Sequence, residues 1–231
     1  MSGWFCGVSE EKDPQKAPLK PAPVSWRSLR GSTSLFALMF SAALASPALA
    51  ETIVWVGSST DDWFLPSNWY GYTRVPGPND TAGFNSAGPT IAAGKHADIS
   101  DLLIGIDTDG SLSVNGGLTT VGSDIGYNAG VTGKLNFSGG TWSNTDDITV
   151  GGSGVGELSL SGSSATSAGN IYVGKDGLGY GTVKLDNSSS FDNSGTAFVG
   201  YGGFCLLAVL GSSEFTPGGL AVAGGVGPMG P

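Results

Sequence analysis

Two short patterns recur together along the chain with a spacing of 21 to 26 residues. A chain that repeats itself at that interval cannot bury the apolar face of one unit alone, so its units must stack on one another. The first pattern is an apolar-polar-apolar triplet leading into a turn of small or polar residues. It reads Leu112-Ser113-Val114, Leu135-Asn136-Phe137, Leu158-Ser159-Leu160, Val183-Lys184-Leu185 and Leu207-Ala208-Val209, with successive starts 23, 23, 25 and 24 residues apart. The second is a hydrophobic residue followed by glycine, at Ile104-Gly105, Ile125-Gly126, Val150-Gly151, Val173-Gly174 and Val199-Gly200. In the copies between residues 125 and 185, a further glycine (Gly133, Gly156 or Gly181) stands just ahead of the triplet.

Alternation at a period of two places both apolar side chains of a triplet on one face of a strand, and the Gly, Asn and Ser positions supply positive-φ turns. Helical spacing is missing from the repeat, and glycine at this density would cost a helix interior roughly 1 kcal/mol at each occurrence. The repeat is therefore expected to be all-β. One unit per coil of a parallel β-helix stacks equivalent triplets about 4.8 Å apart. This predicts an inward row of Leu112, Leu135, Leu158, Val183 and Leu207 beside a second row of Val114, Phe137, Leu160, Leu185 and Val209. The expected architecture is a right-handed parallel β-helix of about five short coils. A propeller or sandwich is the competing all-β arrangement, but propeller blades usually need about 40 to 50 residues.

Four segments follow from the pattern. Residues 1–50 read as a signal peptide with a long n-region and a helical apolar core: Arg27 and Arg30 precede the run Leu35 to Leu44, and Ala48 and Ala50 fill the small positions of a cleavage signal. Cleavage is expected between Ala50 and Glu51. The run is shorter than the roughly 20 apolar residues a spanning helix needs, so no transmembrane segment is expected in the mature chain. Residues 51–100 form a Trp-rich module expected to cap the helix, residues 101–222 hold the repeats, and residues 223–231 are a Gly/Pro-rich tail.

Loss of residues 1–50 removes five of the ten Lys and Arg but three of the nineteen Asp and Glu, leaving five basic against sixteen acidic residues, a net charge of −11. A chain so acidic repels phosphate backbones and anionic lipid, which argues against nucleic acid as a partner. Cys6 departs with the signal peptide, so Cys205 has no intramolecular partner, and its apolar surroundings from Phe204 to Leu207 predict burial.

The stretch Val150-Gly151-Gly152-Ser153-Gly154-Val155-Gly156-Glu157-Leu158-Ser159-Leu160-Ser161-Gly162-Ser163-Ser164 resembles the repeats shared by passenger domains of bacterial type V secretion (autotransporters) and some PEP-CTERM sorted proteins. The resemblance covers roughly residues 101 to 203. Trp55, Trp63, Asn68-Trp69, Val75-Pro76, Asp80 and Phe84 are similar to the N-terminal module of many such passengers. It implies a Gram-negative cell, export through the inner membrane to the periplasm, cell surface or medium, and adhesion to a host or cell-surface glycan or protein. The ending AVAGGVGPMGP contains neither a translocator barrel nor a sorting helix, so the chain is expected to be a truncated passenger.

Chemistry-bearing residues are sparse. The mature chain has one histidine, His96, and no Gly-x-Ser-x-Gly elbow, which leaves a Ser-His-Asp arrangement without support. The acidic pairs Asp61-Asp62, Asp107 with Asp109, and Asp146-Asp147 could work on a sugar bond, but adjacent carboxylates are ordinarily a solvated face. Asp107-Thr108-Asp109-Gly110 opens like a calcium loop and lacks the later ligands, so no metal and no cofactor are expected. Among Trp55, Trp63, Trp69, Tyr70 and Tyr72, which could cap the helix or stack on sugars, Trp63, Trp69 and Tyr70 are the candidate ligand contacts. The expected function is a structural or adhesive surface role without catalysis. A polysaccharide-binding or polysaccharide-cleaving β-helix, or a non-functional fragment, is the alternative.

Overall fold

The computed structural model describes residues 50–71 and 73–222; the expected signal peptide up to residue 49, Tyr72 and the tail from residue 223 lie outside the described residues. The fold is a right-handed parallel β-helix of about six turns. A lead-in strand, β1 (Thr52–Val54), comes first. The first coil is β2 (Thr81–Phe84), β3 (Ala87–Ile91) and β4 (His96–Asp98), and the second is β5 (Asp101–Ile104), β6 (Gly110–Val114) and β7 (Gly117–Thr120). Next come β8 (Gly122–Ile125), β9 (Thr132–Ser138) and β10 (Thr141–Asn144), then β11 (Ile148–Val150), β12 (Val155–Ser161) and β13 (Ser164–Ser167). The fifth coil holds β14 (Ile171–Val173), β15 (Tyr180–Asp186) and the front of β16 (Ser190–Val199). The rear of β16, with β17 (Phe204–Val209) and β18 (Glu214–Val222), makes the last.

Strands pair in parallel with their equivalents one coil away, so three faces run along the molecule. The first face carries β1, β2, β5, β8, β11, β14 and the rear of β16. The second carries β3, β6, β9, β12, β15 and β17, and the third β4, β7, β10, β13 and the front of β16. Both predicted triplet rows exist in register: Leu112 pairs with Leu135, Leu135 with Leu158, Leu158 with Val183 and Val183 with Leu207, and the Val114-to-Val209 row follows two residues on. Leu112, Leu135, Leu158 and Val183 are buried, and each such side chain contributes roughly 1.5–3 kcal/mol by leaving water.

Corners explain the second landmark. Gly105, Gly126, Gly151, Gly174 and Gly200 all have φ between 69° and 78°, a left-handed conformation open to glycine at little cost. Here the chain leaves the first face for the second. Gly133, Gly156 and Gly181 stack in register opposite those corners, and a Cβ at Gly156 would collide with the backbone of Gly151 and Ile125.

The helix begins one coil earlier than the triplet count predicts, so the capping segment is confined to residues before Thr81. In β3 the pairing with β6 shifts between Ala87 and Thr90, and this irregularity replaces the triplet with Pro89-Thr90-Ile91. Ahead of it, Trp55, Trp63, Trp69 and Phe84 close the end with edge-on contacts: Trp69 lies 5.1 Å from Trp55, 4.7 Å from Trp63 and 5.7 Å from Phe84 between ring centroids. The Trp69 indole N–H donates to the Trp63 carbonyl at 2.7 Å. Asp80 clamps the segment to the coil. Its carboxylate accepts both Arg74 guanidinium nitrogens, the Gly77 N–H at 2.8 Å and the Glu51 N–H at 3.2 Å. The Arg74 hydrogen bonds hold the Asp80 carboxyl below the usual carboxylate range.

The two ends differ. Ile91, Ala97 and Ile99 of the first coil are buried beneath the cap, whereas in the last coil Val209, Leu220 and Val222 are 41%, 58% and 64% exposed. Cys205, expected to be buried, is only half-buried in that coil, because no further rung covers it among the described residues.

Candidate functional site

The residues marked by sequence do not converge. Trp63 and Trp69, two of the three candidate ligand contacts, are 1% and 0% exposed. Their rings are spent on closing the helix and have no free face, which corrects that expectation. Tyr70 is 75% exposed and stands on the cap. The acidic residues serve backbone N–H groups: Asp61 accepts the Ser58 N–H at 2.6 Å and Asp62 the Phe64 N–H at 2.9 Å within a turn, while Asp109 accepts the Thr132 N–H at 2.7 Å and Asp147 the Asn170 N–H at 2.8 Å from the next coil. Asp107 accepts from the Asn85 amide at 3.2 Å. Exposed His96, on the third face, meets the Thr119 hydroxyl at 3.0 Å. Among the described residues no three His, Cys, Asp or Glu side chains gather as metal ligands.

A cavity of about 430 Å³ opens instead at the first-face corner of the third, fourth and fifth coils. Its construction follows from the corner glycines. The residues after these glycines are Ile106, Tyr127, Gly152, Lys175 and Tyr201, and the Gly152 and Lys175 N–H groups each bond the corner-glycine carbonyl one coil back. Four of these carry side chains, and Gly152 does not. The cavity lies over it, floored by Gly152 and Thr149, with Tyr127 and Asn128 on one side and Lys175 and Asp176 on the other.

Asp124 completes the lining. It stands in the outward row of the first face, Leu103, Asp124, Thr149, Tyr172 and Phe198. Burial pushes its carboxyl up; the Thr149 hydrogen bond and Lys175 pull it down, while Asp101 and Asp147 raise it further. Hydrogen-bonding capacity is distributed unevenly. Asn128 spends its amide N–H on the Ile106 carbonyl at 2.6 Å, and the Ser153 hydroxyl donates to Asp176 at 2.8 Å. Lys175 lies 4.7 Å from the Tyr172 ring centre, and that ring stacks on Phe198 at 5.1 Å with Tyr201 edge-on to both.

No family model, curated protein or solved structure matches the chain. The cavity therefore has to be judged on its own chemistry. A second hollow, of about 390 Å³, lies on the second face against Lys134 and Glu157. Those two side chains neutralise each other at 2.7 Å, so they are poorly placed to recruit a charged ligand. The first-face cavity keeps two carboxylates that no ion pair holds among the described residues and an open ring, Tyr127. Its residues escaped the sequence reading because their only signal is the position after a corner glycine, which acquires meaning once the corner is known.

Proposed function

We propose that the chain is an exported, passenger-type β-helical module with a structural and adhesive role at a cell surface, and that it makes contact through the first-face cavity over Gly152. The observation that carries this reading is the gap in the corner row, where Tyr127 and Lys175 flank a position with no side chain. Export has its own support. Among the described residues the chain is tied into the folded body from Glu51, whose N–H meets Asp80 and whose carbonyl accepts the Thr81 N–H at 2.9 Å. Cleavage after Ala50 would leave an ammonium on Glu51 facing the Asp80 carboxylate.

Full-length protein made in a Gram-negative host should appear outside the cytoplasm with Glu51 as its first residue by N-terminal sequencing. Beads coated with it should hold cells, and the double variant Tyr127→Ala, Lys175→Ala should hold several-fold fewer. Retention of the uncleaved chain in the cytoplasm, or adhesion indifferent to the double variant, would count against this reading. A polysaccharide-cleaving role is the second reading, favoured by the presence of Asp124 and Asp176 in one cavity. Release of reducing ends from a glycan by the wild type but not by Asp124→Asn would replace adhesion with catalysis.

A further inference from the structure

The glycine at 152 is one the fold does not require. Its neighbours are constrained: Gly151 has φ +73°, and a Cβ on Gly151, Gly154 or Gly156 would run into backbone. At Gly152 the nearest atom to an added Cβ is the Tyr127 carbonyl oxygen at 3.3 Å, then the Gly126 carbonyl oxygen at 3.5 Å and a Thr149 methyl at 3.6 Å. Its φ also lies outside the left-handed region that favours glycine. Alanine there asks the Tyr127 carbonyl to give by a few tenths of an ångström, far less than the 2.1–2.3 Å backbone clashes at Gly151, Gly154 and Gly156. What a side chain at 152 would remove is space, because this residue forms the floor of the cavity.

The walls narrow the ligand class. The Asp124 and Asp176 carboxylates, together with the Asn128 amide oxygen left over after its N–H is used, make the cavity rich in acceptors. A matching ligand presents several O–H or N–H donors. The two carboxylates repel an anion, and the Lys175 ammonium offsets much of their pull on a cation. Tyr127, 43% exposed, offers an aromatic surface suited to the C–H face of a sugar ring. A compact, uncharged, hydroxyl-rich molecule with one apolar face satisfies all of these conditions.

We infer that the cavity over Gly152 binds an uncharged hexopyranose unit of a glycan chain, with Tyr127 against the ring and Asp124, Asn128 and Asp176 accepting its hydroxyl protons. This rests on the reading of the cavity as the contact site. The glycan runs along the outside of the first face, and one unit sits in the gap left by the missing side chain. Tyr201, 60% exposed, follows the Gly200 corner two coils beyond Gly152 and offers a ring for a further unit.

The test is titration of full-length protein with cellotetraose, mannotetraose and N-acetylated chitotetraose, followed by calorimetry, with tetragalacturonate and spermidine as anionic and cationic controls. At least one neutral oligosaccharide should bind and both controls should not. Gly152→Leu should weaken that binding by about tenfold or more, and Gly152→Ala by less, with the melting temperature held. Should Gly152→Leu fail to fold, Tyr127→Ala, which changes an exposed ring, must show the same loss. No binding of any neutral oligosaccharide, stronger binding of a control, or binding unchanged in a folded Gly152→Leu would overturn the inference. Adhesion of coated beads to cells whose glycans have been oxidised with periodate separates the two readings: persistence would keep the adhesive role and remove the sugar.

Discussion

Glycines two or four residues apart in this chain do opposite work. Gly156→Ala forces a methyl into the corner backbone and should cost about 1–3 kcal/mol by denaturant unfolding. Gly152→Ala makes only a tight contact with the Tyr127 carbonyl and should fall within about 1 kcal/mol of wild type, with the smaller unfolded-state entropy of alanine acting in its favour. Two aspartates should likewise show opposite pH signatures. The Asp80 carboxyl is held low, so its contribution is present above the ordinary carboxylate pKa and is lost as pH falls through its depressed value. Asp80→Asn should therefore be less stable at pH 7 by about 1.5–3 kcal/mol, the worth of hydrogen bonds to a charged group, with the gap closing in acid. Asp124 is raised by burial, so the folded state favours its protonated form and loses stability as pH climbs through the raised value. Asp124→Asn should match wild type in strong acid and exceed it at neutral pH in thermal melts.

At the scale of strands, the second face was the most legible part of the molecule. Its triplets announce themselves because Leu135, Leu158 and Val183 alternate with Asn136, Ser159 and Lys184 in strands buried on one side only. Leu158→Ala should cost about 2–5 kcal/mol. Val209→Ala should cost under about 1 kcal/mol, since the end of the same row is largely exposed. The third face was hard to find for a physical reason: its inward row includes the polar residues Thr120, Asn144, Ser167 and Asn193, aligned one above another. Thr120 and Asn144 bond each other, Ser167 and Asn193 donate to the Asp146 and Gly195 carbonyls of the turning backbone, and the Asn193 amide oxygen is buried without a partner among the described residues. Asn144 accepts the Thr120 hydroxyl at 2.7 Å and the Ser123 hydroxyl at 3.1 Å, and the Trp142 indole donates to Thr120 at 3.0 Å. Hydrophobic patterning is blind to such a row. The first coil was hidden for a related reason, because its irregular pairing breaks the period of two just where Pro89 stands. For the site, the corner glycines were visible in the sequence, but the exceptional residue beside one of them was not, because glycine is unremarkable in a chain holding 40.

On the scale of the whole molecule, stability is distributed among neighbouring coils, each supported by the one before and the one after. Every interior coil has two such supports. The first has the tryptophan cap in place of a neighbour, and the last leaves Leu220 and Val222 exposed among the described residues. The rod therefore has a direction in time as well as in space. Amide hydrogens of β17 and β18 should exchange first, those of β15 and β14 next, and those of β5 and β6 among the last. Trp69→Ala, by removing the support at the capped end, should erase that order and let both termini open at comparable rates. An intact molecule pulled or heated would shorten coil by coil from one end, and the cavity over Gly152 would lose its Lys175 and Asp176 wall early, while Tyr127 and Asp124 still stood on folded coils.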